Sequence, residues 1–331
     1  MGRYVLIRPG ALGDALLALP TLALLRRERP EAHMTLVARG DVLPLARASA
    51  LAGATYDWSD PMWATLFADA PRADEAQAAV RDAAVVAWLA DEGGTVARNL
   101  AAWGARQVVV APSRPPEDRT TPREHMALLL ARALAPLGIA VPAAAESLAA
   151  AMPPLRVDPH DTQTAARVWD ALDLGAESRP VVALHPGSGG AAKRWAPERF
   201  GELARRLTAS GCRPLLVEGP ADAEVTAAVL AALDTEAGVM MLARRLSIGA
   251  LAALLRRCAA YVGNDSGVSH LAALAGVPTL ALFGPSDPTL WAPLGPRVRI
   301  LRAPAGDLAL LEAGAVCEAL DSMLLSLRPM P

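Results

Sequence analysis

Short apolar runs alternate along the chain with longer segments in which apolar residues recur at helical spacing. The first run is YVLIR, residues 4–8. A turn, PGALGD, follows it, and then a long apolar-periodic segment that closes on RRERP at residues 26–30. The next run, MTLVA, spans residues 34–38. This opening predicts a βαβ unit and therefore a parallel sheet. Further strands are expected at AVVAWL (84–89) and RQVVVA (106–111), and a helix over residues 122–138. Residues 139–157, IAVPAAAESLAAAMPPLRV, are rich in Ala and Pro and read as a connection between domains.

The second half restarts the rhythm. PVVALHPG is a strand entering a Gly-rich turn, and PERFGELARRLTAS a helix with Pro197 near its start and Gly211 beyond its end. CRPLLVEG predicts a strand, IGALAALLRRC a helix and AAYVGND another strand. GVSHLAALAG is a helix that Gly276 can close, and PTLALFG a last strand. Two successive α/β halves predict two facing doubly wound domains with ligands in the cleft at the carboxyl ends of the strands. The expected boundaries are 1–155 and 156–310, followed by a terminal helix in 311–331.

Two stretches imitate membrane segments. ALLALPTLALLRRERP is preceded by Arg8 and Asp14, and no small-residue cleavage site follows it. Residues 266–286 carry no charge, but Gly276, Val277 and Pro278 interrupt them, as a buried helix, turn and strand would require. A peripheral association with a membrane surface stays open.

Composition sharpens this picture in three ways. Hydrophobic residues form 53% and charged residues 20% of the 331, as in a globular protein of two-domain size. A formal net charge of −2 gives no basic field for a nucleic-acid partner. Cys212, Cys258 and Cys317 are far apart and lack metal-ligand spacing, which points to buried thiols in a reducing, cytoplasmic compartment.

Three stretches carry candidate chemistry. In RPGALGD, Gly13 and Asp14 follow the first strand; Asp14 reads either as a helix cap or as a carboxylate able to take a proton. In HPGSGGAAKRW, Gly187, Ser188 and Gly189 can cradle phosphate oxygens. Lys193 beyond them is the only lysine among 32 basic residues. An ammonium is compact and has three donors, so it suits a diphosphate whose charge grows as it leaves. In YVGNDSGVSHLAALAGVPTLALFGPSDP, Asp265, Ser266 and Gly267 sit at a helix start, with His270 one turn inward on the same face. Their bland readings are a cap and a buried imidazole. Trp58, Trp63 and Trp88 are read as core rather than as sugar platforms. No G-x-G-x-x-G with a downstream acid is present, which disfavours a nicotinamide dehydrogenase.

Together these motifs resemble the heptosyltransferases of lipopolysaccharide core synthesis, glycosyltransferase family 9. The resemblance implies an α/β GT-B fold of two Rossmann-like domains, with the donor held mainly by the second and the terminal helix returning to the first. It implies inverting, metal-independent transfer of heptose from ADP-heptose to a hydroxyl of a saccharide or lipid-linked saccharide acceptor, with no cofactor. It matches Asp14 to the general base and Lys193 to the donor phosphate and sugar. It also matches Ser188, Gly189, Asp265, Ser266, Gly267 and His270 to donor contacts, Leu246 to the base, and Asp222 or Glu224 to the ribose. Between about residues 45 and 120 the pattern differs, because Arg72, Arg81, Arg98 and Arg106 are scattered and offset by aspartates. A nucleotide-sugar epimerase and a non-catalytic nucleotide-sugar-binding protein remain alternatives.

Overall fold

The computed structural model describes residues 2–69, 75–115, 123–175, 179–233 and 240–325. Arg72 and the last six residues of the expected terminal segment lie outside the described residues. The chain divides into two units, Met1–Arg156 and Val157–Pro331.

The first unit carries β1 (Arg3–Arg8), α1 (Leu12–Glu28), β2 (His33–Ala38), α2 (Leu43–Ala48), β3 (Ala54–Asp57) and α3 (Glu75–Val80). It continues through β4 (Ala83–Trp88), α4 (Thr95–Ala102), β5 (Gln107–Ala111), α5 (Met126–Arg132) and α6 (Ala145–Ala151). Five parallel strands pair in the order β3-β2-β1-β4-β5, with Ile7 opposite both Val37 and Ala87. The order reverses between β1 and β4, so the loops leaving these strands diverge and open a crevice at their carboxyl ends.

All of α1 from Ala15 to Leu25 is buried. A helix apolar on every side belongs inside a protein core, and here α1 packs on α5 and α6. Among the described residues no helix is long and apolar enough to cross a membrane. Trp63 and Trp88 are core residues, as expected, while half-buried Trp58 stacks on Trp63 with ring centroids 6.5 Å apart.

Two sequence expectations change here. The expected helix over 122–138 is shorter. His125 caps α5 through its ring, accepting from the Ala127 N–H, and Pro136 lies in a short 3-10 turn beyond it. The expected inter-domain connection contains α6, whose buried Ala145 and Leu148 pack against α1 and α5, so most of it belongs to the first unit.

The second unit carries α7 (Pro159–Ala171), β6 (Val181–His185), α8 (Pro197–Ala209), β7 (Arg213–Glu218), α9 (Ala223–Ala232) and β8 (Met241–Arg244). Then come α10 (Ile248–Leu255), β9 (Ala260–Asn264), α11 (Gly267–Leu274), β10 (Thr279–Phe283), α12 (Pro288–Trp291), β11 (Val298–Arg302) and α13 (Ala313–Leu325). Its six parallel strands run β11-β10-β9-β6-β7-β8. The order reverses between β6 and β9, and both strands are buried along their whole length. Strands covered on both faces read as continuous apolar runs, which is why these two were legible.

The described part of the terminal helix, α13, packs on α8 and β11 of its own unit. Val316, Leu320 and Met323 recur at helical spacing and join Leu203 and Leu207 of α8 in the core. The Trp195 indole N–H fixes the approach by donating to the Leu311 carbonyl at 2.8 Å.

Candidate functional site

In the first unit the chemistry gathers where β1 ends. Arg8, the last residue of β1, is only 2% exposed, and its Nη2 donates to Asp14 Oδ1 at 2.9 Å. Asp14 Oδ2 accepts from the Ala11 N–H at 2.9 Å. Ala11 is therefore the cap residue of α1, and Asp14 sits in the first turn with its carboxylate folded back over the helix start. That replaces the reading of Asp14 as the cap itself. Gly10 makes the arrangement fit: its φ is +128°, and a Cβ there would lie 2.7 Å from Asp14 Oδ2. Burial pushes the Arg8 guanidinium below its ordinary value, and Asp14 pulls it back up. Gly13 lies within the same first turn, partly exposed.

In the second unit the loops after β6 and β9 meet at the point where the strand order reverses. The first loop runs from Pro186 to Arg194. Ser188 Oγ donates to the Asp265 carbonyl at 2.8 Å, and the Arg194 guanidinium donates to the Ser188 carbonyl. Gly187 is required by packing, since a Cβ would come 2.1 Å from Asp222 Oδ1. Gly189 and Gly190 have no such neighbour: a Cβ on either would meet nothing within 4 Å. The main chain there borders open space, which suits a ligand that must approach it closely.

The second loop holds the acidic group. Asp265 is 7% exposed, and its Oδ2 receives Lys193 Nζ at 2.7 Å and Ser286 Oγ at 2.6 Å. The Lys193 side chain is 40% exposed. An ammonium has three donors, so the bond to Asp265 leaves two for a ligand. Ser266 caps α11 in an extended conformation, yet its hydroxyl makes no bond to a backbone N–H of its own helix. That hydroxyl lies 3.4 Å from His185 Nδ1 and 3.4 Å from Ser269 Oγ. Gly267 opens α11, and His270 is buried within it. A helix start favours negative charge, and that of α11 adjoins the Gly-rich loop through the bond of Ser188 to the Asp265 carbonyl.

Behind the loops stands a buried pair. His185 ends β6, and its Nε2 lies 3.0 Å from Asp222 Oδ2, which also accepts the Gly219 N–H at 3.0 Å. Burial raises the Asp222 carboxyl, but the His185 hydrogen bond and charge, the Gly219 N–H and Arg194 outweigh it and hold the group below its ordinary value. Asp222 is thus bonded inside the protein, to His185 and to the Gly219 N–H. Glu224, the other acid matched to the ribose, is exposed in the first turn of α9, and Leu246 is half-buried between β8 and α10.

Sequence reasoning missed three residues of this framework. Asn264 is fully buried; its Oδ1 accepts the Trp195 N–H at 3.1 Å and its Nδ2 donates to the Pro186 carbonyl at 2.8 Å, joining the two loops. Arg8 and His185 are the others. Each is the polar last residue of a strand whose immediately preceding residues are a buried apolar run, and that position is the signal that could have found them. Among the three thiols Cys258 alone is buried, and burial pushes it up to about 12; Cys212 and Cys317 are half-buried.

The sequence model of glycosyltransferase family 9 (heptosyltransferase) matches residues 135–318, more than half of the chain. The chain belongs to glycosyltransferase family 9. Lipopolysaccharide heptosyltransferase 2 of Escherichia coli is 37% identical over 134 residues, which are 40% of this chain and 38% of that protein. Lipooligosaccharide heptosyltransferase 2 of Haemophilus influenzae is 29% identical over 173 residues, 51% of this chain and 50% of that one. The chain thus spans half or less of the length of these curated relatives. In three dimensions the likeness covers nearly everything. A family 9 glycosyl transferase from Veillonella parvula superposes with a TM-score of 0.80 at 21% identity, covering 98% of each chain. The Escherichia coli ADP-heptose LPS heptosyltransferase II gives 0.75 at 21%, covering 98% of this chain and 99% of that one. Two parallel α/β units and these likenesses make the fold that of the GT-B class.

Proposed function

We propose that this family 9 chain transfers heptose from ADP-heptose to a hydroxyl of a saccharide acceptor of the lipopolysaccharide inner core, with inversion at the anomeric carbon. The observation that carries the proposal is the cluster of Lys193, Asp265, Ser266 and the open Gly189–Gly190 turn where the second unit's strand order reverses. It offers backbone N–H groups, a helix start and one ammonium, which are the groups a diphosphate needs.

In the proposed reaction the donor diphosphate lies over the Gly-rich turn and the start of α11, with Glu224 toward the ribose and Leu246 toward the base. Asp14, supplied by the first unit, takes the proton of the acceptor hydroxyl. The hydroxyl oxygen bonds to the anomeric carbon as the bond from that carbon to the diphosphate oxygen breaks, and the electron pair leaves with ADP. Lys193 and the α11 dipole stabilise the departing charge, the work a metal ion does in other transferases. Arg8 and the Ala11 N–H hold both oxygens of Asp14, so the base is fixed before the acceptor arrives. The reaction is placed in the cytoplasm, with a lipid-linked acceptor presented at the inner face of the cytoplasmic membrane.

The test is turnover with ADP-heptose and a heptose-deficient inner-core acceptor, comparing the natural protein with Asp14→Asn. Loss of a general base lowers kcat by on the order of a hundredfold or more. ADP affinity should be unchanged, because Asp14 is not a donor contact. Near-full turnover in Asp14→Asn would leave that residue a helix-start acceptor only. Consumption of ADP-heptose without acceptor would indicate an epimerase, and ADP binding without turnover a binding protein.

A further inference from the structure

A serine at a helix start ordinarily turns its hydroxyl onto an N–H of its own first turn. Ser266 does not: it makes no side-chain bond to a backbone N–H of α11, and its contact within the helix is with the Ser269 hydroxyl at 3.4 Å. Its hydroxyl faces the His185 ring, Oγ to Nδ1 at 3.4 Å, the long end of hydrogen-bond distance. The ring itself cannot swing, because its other nitrogen lies 3.0 Å from Asp222 Oδ2. Asp222 in turn is seated by the Gly219 N–H and by two glycines: a Cβ on Gly187 or on Gly219 would come within 2.5 Å of its carboxylate oxygens. On the far side Ser269 Oγ reaches Ser266 and also donates to the Asn264 carbonyl at 2.5 Å. The chain has therefore built a buried acid, a buried imidazole and two space-giving glycines behind one partly exposed hydroxyl.

We propose that His185, oriented by Asp222, is a positioning residue that holds the Ser266 hydroxyl off its own helix and so keeps the start of α11 open to the donor diphosphate. The carboxylate of Asp222 can only accept, so Nε2 carries the proton toward it. That leaves Nδ1 to face the Ser266 hydroxyl as its hydrogen-bond partner. With the hydroxyl turned toward His185, the early N–H groups of α11 stay unpaired by side chains and face the ligand. Without the imidazole the hydroxyl swings onto the helix, satisfies an early N–H and competes with the phosphate oxygens. The pair thus acts on donor affinity through Ser266 and touches no reacting atom.

This rests on the donor-site reading above, and the experiment separates the two. ADP affinity is measured by titration calorimetry for the natural chain and for His185→Leu, His185→Asn, Ser266→Ala and the double variant His185→Leu/Ser266→Ala, with thermal melting of each. His185→Leu should weaken ADP binding about tenfold, the scale of one hydrogen bond gained or lost at a charged ligand. His185→Asn, whose amide can reach the position of Nδ1, should recover most of that loss. In the Ser266→Ala background the His185→Leu change should cost nothing further, because no hydroxyl is left to restrain. A full additional loss in that background overturns the inference while leaving the donor site standing, as does unaltered binding in His185→Leu. Absence of ADP binding by the natural chain removes the donor site and this inference with it. Should His185→Leu not fold, His185→Phe, which fills the space without a ring nitrogen, and its double with Ser266→Ala decide the matter by the same comparison.

Discussion

The side chain that most rewards attention at the residue scale is Lys193. A chain that meets nearly every need for positive charge with arginine has kept one ammonium, and the structure gives the reason in its contacts. Nζ bonds Asp265 Oδ2, and Ser286 takes the same oxygen. A planar guanidinium would satisfy Asp265 with two parallel bonds and turn its remaining donors along the fork. A point charge can bond the carboxylate and still aim two donors elsewhere. Lys193→Arg is therefore expected to keep the fold and ADP binding while lowering kcat by about 10- to 100-fold, the scale of one misplaced donor to developing charge. Unchanged kcat in steady-state assays would make the lysine incidental. Lys193 and Asp265 were legible because their composition and neighbours are unusual: a single lysine, and an acid beside a Ser-Gly helix start. Asn264 and His185 were not, because their roles depend on which loop lies opposite, which spacing along one chain does not encode.

Legibility at the element scale follows burial. The central strands β1, β4, β6, β9 and β10 are continuous apolar runs, and each was readable. The strands missed were β3, β8 and β11, all at sheet edges. Edge strands are half solvated and carry charges, as in VRILR of β11, where exposed and covered positions interleave. The terminal helix shows the same principle from the other side: its apolar stripe was readable, but not the surface it would cover. Leu320 is fully buried in the second unit's core, among the side chains of α8. Leu320→Ala should therefore destabilise the second unit by about 2–4 kcal/mol, by lost burial and the cavity left behind. Denaturant unfolding of the full chain, followed by far-ultraviolet circular dichroism and compared with the natural protein, reads this. A loss below about 0.5 kcal/mol, the range of ordinary surface substitutions, would show that α13 is peripheral to that core.

For the whole molecule, the proposed reaction divides labour between two separate cores. Every candidate donor contact other than Gly13 lies beyond residue 157, and the proposed base lies before it. Each unit has its own strand-order reversal, so each has its own crevice, and the proposed donor site uses one of them. Ligand binding protects the elements whose opening it must oppose, by an amount set by concentration over Kd. Saturating ADP should thus slow amide hydrogen exchange in residues 186–194 and 265–270, where the loops after β6 and β9 are joined through Asn264 and Ser188. Exchange in β2 and β3 should be unaltered by ADP alone, because no candidate donor contact lies on either strand. The amides around Ala11 and Asp14 should respond to acceptor, since Asp14 Oδ2 must loosen its bond from the Ala11 N–H as it takes a proton. Exchange followed by mass spectrometry separates these responses peptide by peptide. Protection by ADP concentrated at the start of α1 instead would place the nucleotide in the first unit and reverse the proposed roles of the two crevices.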